Sequence, residues 1–372
     1  MRIAQIAPLI ESVPPRLYGG TERIVAYLTD ALVEQGHDVT LFASGDSQTK
    51  ARLVPCSERA MRFSGNDCEP AFQYICMLDE VWRRADSFDV FHFHIDVLHF
   101  AMFRPLAGRT VTTLHGRQDL PALRPIYRRF PEFPLVSISD SQRLPLPEGH
   151  FAATVYHGLP VDLLQPTYHP RGGYLAFLGR VSPEKRVDLA IEIAVKAGLP
   201  LKIAAKVDRV DEDYFRERIV PLLNQPGIEF IGEIDEAQKQ RFLGDALALL
   251  FPIDWPEPFG LVMIEAMACA TPVLAFRRGS VPEIIDDEIT GMIVDSVDEA
   301  VATLPQVVAL DRCAIRRRFE QRFTADRMAA DYVAVYRQAL GRARTPLPKV
   351  VAATEVPGVV SAPPLEPIVQ PS

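Results

Sequence analysis

Two glutamates eight positions apart, Glu257 and Glu265, bracket the segment E-P-F-G-L-V-M-I-E. Pro258 and Gly260 interrupt regular structure, which places Glu257 on a loop. From Leu261 the apolar spacing suits a buried helix ending before Thr271-Pro272, and Val273–Phe276 reads as a core strand. Glu265 then lies about one turn inside a helix whose entry exposes unpaired N–H groups. Such an entry suits an anion. A second charged pair lies upstream. Tyr174–Leu178 reads as a buried strand ending in Gly179-Arg180, and Lys185 follows five residues on. A planar guanidinium and a compact ammonium beside a helix entry stabilise a phosphate leaving group as its charge grows.

The elements that position these residues form two similar series. Residues 1–10 make a strand and a Pro-rich loop closes on Gly19-Gly20. Thr21 is positioned to cap a helix from Glu22 to about Gln35, Gly36 ends it, and Val39–Ala43 is the next strand. A glycine pair at a helix entry admits a phosphate to the backbone, although G-x-G-x-x-G is absent. The D-V-F-H-F-H segment puts His92 and His94 on one strand face. That spacing allows metal ligation or packing near the cleft, and packing is the favoured reading. Thr110–Leu114 is a strand ending at His115-Gly116, where ligands gather in an open parallel sheet. A linker falls at residues 163–172, and strands and helices alternate again after it. Arg327 to Leu340 reads as an amphipathic helix with Met328, Tyr332, Val335 and Tyr336 on one side.

Composition narrows the classes. The 372 residues suffice for two domains, and 48% hydrophobic with 24% charged residues is ordinary for globular proteins. A formal net charge of −8 argues against a nucleic-acid partner. Five scattered cysteines with no C-x-x-C pair fit neither a zinc site nor a disulfide framework, and they fit a reducing cytoplasm. The reading expects no signal peptide and no membrane span, with at most peripheral membrane contact through Arg124, Arg128 and Arg129.

The Glu-x7-Glu spacing around P-F-G, with the G-x-x-x-E-I continuation from Gly279 to Glu283, resembles the motif of retaining glycosyltransferases of family 4. The resemblance covers about residues 1–340. It implies the GT-B fold, two doubly wound α/β domains facing a cleft. The implied division is an acceptor-side domain over 1–165, a nucleotide-sugar domain over 166–325 and a helix over 326–344 packing back on the first domain; residues 345–372, rich in Pro, Val and Ala without periodicity, read as a disordered tail. By resemblance Glu257 and His115 meet the donor sugar, Glu265 holds the ribose, and Arg180, Lys185 and the Gly20 amide hold the diphosphate. Gly19 is a further candidate there. The amides of Phe259, Gly260 and Leu261 position the sugar. No metal and no cofactor beyond the nucleoside diphosphate sugar are implied.

The chain departs from the family pattern in two places. His157 stands where Asn is common, and Lys206-Val207-Asp208-Arg209 replaces a glycine-rich turn. Backbone groups around Phe230–Glu233 are expected near the base, and Ser139 and Asp140 along the cleft. The expected activity is retaining transfer of a hexose, from a UDP-sugar first, to a hydroxyl acceptor in polysaccharide, glycolipid or small-metabolite glycosylation. The alternatives are a GT-B epimerase or inverting transferase, and a catalytically silent sugar-nucleotide-binding protein.

Overall fold

The structure, a computed structural model, describes residues 1–16, 19–63 and 69–343. The expected tail lies outside the described residues.

Alternating apolar strands and helices build two parallel sheets. The first holds β1 (Arg2–Ile6), β2 (Asp38–Ser44), β3 (Arg52–Ser57), β4 (Val90–Phe93), β5 (Thr110–Thr113), β6 (Leu135–Ser137) and β7 (Phe151–Thr154), in the order β3-β2-β1-β4-β5-β6-β7. The second holds β8 (Leu175–Val181), β9 (Leu201–Val207), β10 (Ile228–Gly232), β11 (Ala248–Phe251), β12 (Val273–Phe276) and β13 (Gly291–Val294), in the order β10-β9-β8-β11-β12-β13. In each sheet the order reverses beside the first strand, between β1 and β4 and between β8 and β11. Ligands of doubly wound sheets bind outside the carboxyl ends at such a reversal. His115 follows β5, Arg180 lies at the end of β8, and Glu257 follows β11.

Central strands are buried on both faces and read as continuous apolar runs, as in β11 and β12. Strand β3 was not expected from its sequence R-L-V-P-C-S. It is a half-exposed edge strand, where Pro55 is tolerated and apolar alternation is weak.

The chain crosses between the sheets twice, and the crossings lie side by side. Leu159 donates its amide to Phe323 O at 2.9 Å, and Ala325 donates to Leu159 O at 2.8 Å. A Cβ at Gly158 would stand 2.1 Å from Thr324 O, so this approach needs glycine. Buried Arg316 donates to Leu164 O and Ala268 O at 2.8 and 2.6 Å, and Arg327 donates to Tyr156 O at 2.7 Å. After the second crossing the helix Ala325–Ala343 packs on the first domain. Met328, Tyr332, Val335 and Tyr336 share one apolar cluster with Ile24, Leu28 and Leu32 of the helix Gly20–Glu34.

Candidate active site

A cavity of about 880 Å³ lies between the sheets, walled from both sides. Two helix entries meet across it. The helix Gly20–Glu34 begins directly after Gly19, with no side-chain cap, so the expectation that Thr21 caps it is corrected. Gly19 takes a φ of +156°, which glycine adopts readily, and the helix begins at Gly20, whose amide belongs to the first turn. Opposite it, the helix Leu261–Ala268 starts after Gly260, whose φ of +79° is left-handed. A Cβ on Gly260 would meet Met263 Cε at 2.7 Å. The two domains approach here, for a Cβ on Gly20 would stand 3.4 Å from Leu261 Cδ1. Two helix dipoles thus point their positive ends into one space.

Lys185 and Glu257 form an ion pair in this space, and Trp255 donates its indole N–H to the same carboxylate at 2.9 Å. Glu257 is held through its backbone. Its carbonyl accepts from the Ser280 amide at 3.0 Å, and a Cβ on Gly279 (φ +53°) would stand 2.3 Å from the Glu257 nitrogen. The G-x-x-x-E segment therefore supports the Glu257 loop.

Arg180 stands in an acidic nest. Glu184 accepts from it at 2.5 Å, and Asp208 and Asp211 lie at 3.8 and 3.7 Å. Asp208 belongs to the loop that replaces the glycine-rich turn, and it also pairs with Lys206 at 2.6 Å and faces Arg62 of the first domain at 3.9 Å. The substitution of that turn thus adds a carboxylate beside Arg180.

Glu265 is buried, and Lys239 donates to it at 2.6 Å. Lys239 also reaches Glu236 at 3.3 Å, and Glu236 pairs across the cleft with Arg23. Sequence reasoning missed Lys239 and Glu236. They sit on the helix Glu236–Gly244, whose only sequence signal is the Asp235–Gln238 capping box.

The first domain contributes a histidine wall. His115 lines the cavity, its ring lies parallel to His157 at 5.4 Å, and His157 packs on Phe259 at 4.7 Å. The turn variant His157 is therefore a wall residue between His115 and Phe259. Burial pushes the His115 imidazole down to about 3, and burial with neighbouring rings or guanidinium lowers His157 well below the usual histidine range. His115 is neutral at physiological pH. His92 and His94 spend their ring nitrogens on Tyr336, Thr113, Gln5 and His115. Among the described residues no cluster of three or more His, Cys, Asp or Glu is arranged to hold a metal ion.

Glu233 and Ile234 reach the cavity, whereas Phe230 packs inside the second domain. Ser139 and Asp140 do not line the cavity. Ser139 caps a short helix by accepting from the Gln142 amide at 3.0 Å, and Asp140 binds Thr154 at 2.6 Å. That helix entry meets Glu283 of the second domain, whose carboxylate accepts the Asp140 and Ser141 amides, each at 2.7 Å.

Two facing Rossmann-like domains with a phosphate-suited cleft define a GT-B protein. Solved GT-B structures share the architecture. A glycosyltransferase of avilamycin A biosynthesis superposes with a TM-score of 0.70 at 24% identity, covering 92% of this chain and 98% of that one. Sucrose-phosphate synthase from Thermosynechococcus elongatus gives 0.74 at 18% identity, with 92% and 100% covered. The model for Glycosyltransferase Family 4 matches residues 18–140, and the model for Glycosyl transferases group 1 matches residues 169–322. The chain belongs to the family-4 glycosyltransferases. It is similar to phosphatidyl-myo-inositol mannosyltransferase of Mycobacterium leprae, 26% identical over 344 residues, 86% of this chain and 90% of that one. It is also similar to D-inositol 3-phosphate glycosyltransferase of Mycobacterium leprae, 29% identical over 209 residues, 52% of this chain and 46% of that one.

Proposed function

We propose that the protein transfers a hexose, with retention, from a nucleoside diphosphate sugar to a hydroxyl acceptor. The observation that carries the reading is the convergence of Lys185, Glu257 and two helix entries on one cavity. Lys185, Arg180 and the Gly20 amide hold the departing diphosphate, whose charge grows as the glycosidic bond breaks. Glu257, His115 and the amides of Phe259, Gly260 and Leu261 orient the sugar. Glu265 receives the ribose hydroxyls once they displace Lys239. The sequence supplies no carboxylate marked as a nucleophile, and the family resemblance favours same-face substitution assisted by the leaving group.

A UDP-sugar is the first donor to test. The names of the relatives make an inositol-bearing alcohol the first acceptor class to test. The reading places the enzyme in the cytoplasm, at most peripheral to a membrane; among the described residues no helix is long and apolar enough to cross one.

The test is nucleoside diphosphate release from UDP-, GDP- and ADP-linked hexoses by the purified full chain, with and without myo-inositol and its phosphates. Release from one donor, with the product anomer matching the donor and loss of release in Glu257→Gln, is expected. An inverted product, or binding of every donor without release under any acceptor, overturns the reading.

A further inference from the structure

One hydrogen-bonded chain runs through the buried side of the first domain and ends at the cavity. Its far end is the last helix. Tyr332 OH meets Thr113 Oγ1 at 2.8 Å, Thr113 Oγ1 meets His92 Nε2 at 2.7 Å, and His92 Nδ1 meets Tyr336 OH at 2.7 Å. Gln5 Nε2 donates to Tyr336 OH at 3.1 Å. Gln5 Oε1 meets His94 Nε2 at 2.8 Å, and His94 Nδ1 meets His115 Nε2 at 2.9 Å. Gln5, His92, His94, Thr113, Tyr332 and Tyr336 are all buried.

With the Gln5 amide oriented as in the structure, its oxygen toward His94 and its nitrogen toward Tyr336, the proton directions from Gln5 to His115 and to His92 are set. An amide oxygen has lone pairs only, so His94 Nε2 must carry the hydrogen it shares with Gln5 Oε1. Burial keeps the His94 ring neutral, so its Nδ1 is then an acceptor. His115 Nε2 must supply the hydrogen to it. His115 is neutral as well, which leaves its Nδ1 as a bare lone pair. That nitrogen is buried and has no hydrogen-bond partner among the described residues. The same reasoning runs the other way. Tyr336 accepts from Gln5, so its own hydrogen goes to His92 Nδ1, and His92 Nε2–H donates to Thr113.

We propose that Gln5 and His94 are positioning residues that lock His115 in the Nε2–H tautomer, so that its Nδ1 accepts a hydrogen bond from a hydroxyl of the donor sugar. A neutral histidine with no such partner exchanges between two tautomers, and only one of them is an acceptor at Nδ1. The locked ring favours a hydroxyl-bearing group over one that can only accept, such as a phosphate oxygen. The sugar contact rests on the function proposed above, whereas the tautomer does not.

The test uses the full chain labelled with nitrogen-15 histidine, read by long-range proton–nitrogen correlation at pH 7.5. His115 signals are identified by their loss in His115→Phe. The expected result is a single neutral Nε2–H tautomer at His92, His94 and His115. An Nδ1–H form or an averaging mixture at His115 overturns the proposal. In His94→Phe the single tautomer at His115 should be lost. In His94→Asn it should persist, because the carboxamide oxygen takes over acceptance from His115 Nε2. An unchanged His115 in His94→Phe overturns the proposal, and Gln5→Leu provides the same reading if His94→Phe does not fold. With UDP-glucose, or whichever donor the screen identifies, His94→Phe should lower kcat/KM about tenfold or more, the worth of one hydrogen bond of about 1.4 kcal/mol, and His94→Asn should recover most of it. A locked tautomer in a protein whose turnover survives His115→Phe would overturn the sugar-facing role alone.

Discussion

Lys185 and Glu257 pair in a cleft into which two helix entries point. On the proposed function, a diphosphate entering this cleft would take Lys185 away from Glu257 and free the carboxylate for the sugar. Lys185→Ala should therefore lower turnover by a factor on the order of 10² to 10³ with little change in melting temperature. Unchanged turnover would remove Lys185 from the phosphate role. The buried histidines make a separate prediction about acid. Burial lowers His92, His94, His99, His115 and His157. The unfolded chain binds protons at these positions below about pH 6.5 while the folded chain does not. Stability is therefore lost as pH falls from 6.5 toward the depressed folded values, by up to about 1.4 kcal/mol per pH unit for each ring. Thermal unfolding at pH 7.5 and 5.5 should show a clear drop in melting temperature at the lower pH. His99→Phe should flatten that slope, since His99 lies flat on Phe93 at 3.7 Å and spends its Nε2 on Thr112. An equal slope in the variant would contradict the burial argument.

At the scale of elements, the loops matter more than the helices they enter. The turn at Gly279 supports Glu257 from behind, and no side chain fits between them. Gly279→Ala forces an L residue into a left-handed turn and pushes on the Glu257 backbone. It should destabilise the fold by about 2 kcal/mol or more and lower turnover beyond what stability explains. Chemical denaturation together with donor-release kinetics separates the two effects. The same elements show why only part of the site was legible in the sequence. Glu257, Gly260 and Glu265 sit on one short loop and helix, so their spacing alone brings them together. Arg180 and Lys185 are likewise local to one strand end. Lys239 was not legible, because its partner Glu265 lies 26 positions away on another helix. Tyr332 and Tyr336 were read as an apolar stripe, which they are; their hydroxyls act at the far side of that stripe, where periodicity carries no information. Arg180 was read as waiting for a phosphate; of the three carboxylates around it, Asp208 and Asp211 come from the segment after β9, where the glycine-rich turn is replaced, and Glu184 lies between Arg180 and Lys185 themselves.

At the scale of the molecule, the cleft is closed by pairs from opposite domains. Glu283 holds two amides of the first domain, and Arg23 meets Glu236. Glu283→Ala removes two charge-assisted bonds at a helix entry and should loosen the closed form by about 2 to 3 kcal/mol. A larger radius of gyration in solution scattering and a raised KM for the donor, with an unchanged melting temperature, are the expected signs. An identical scattering profile would place the closing energy elsewhere.

The double crossing at Leu159 and Thr324 makes the first domain discontinuous in sequence: the described residues before Leu159 and the helix Ala325–Ala343 are one physical body. Recombination between relatives that swaps only the leading half would separate Gln5 and His92 from the tyrosines that complete them, leaving donors and acceptors orphaned in an apolar interior. A workable hybrid needs two seams, cut together at that paired crossing, with both ends of the chain inherited from the same parent.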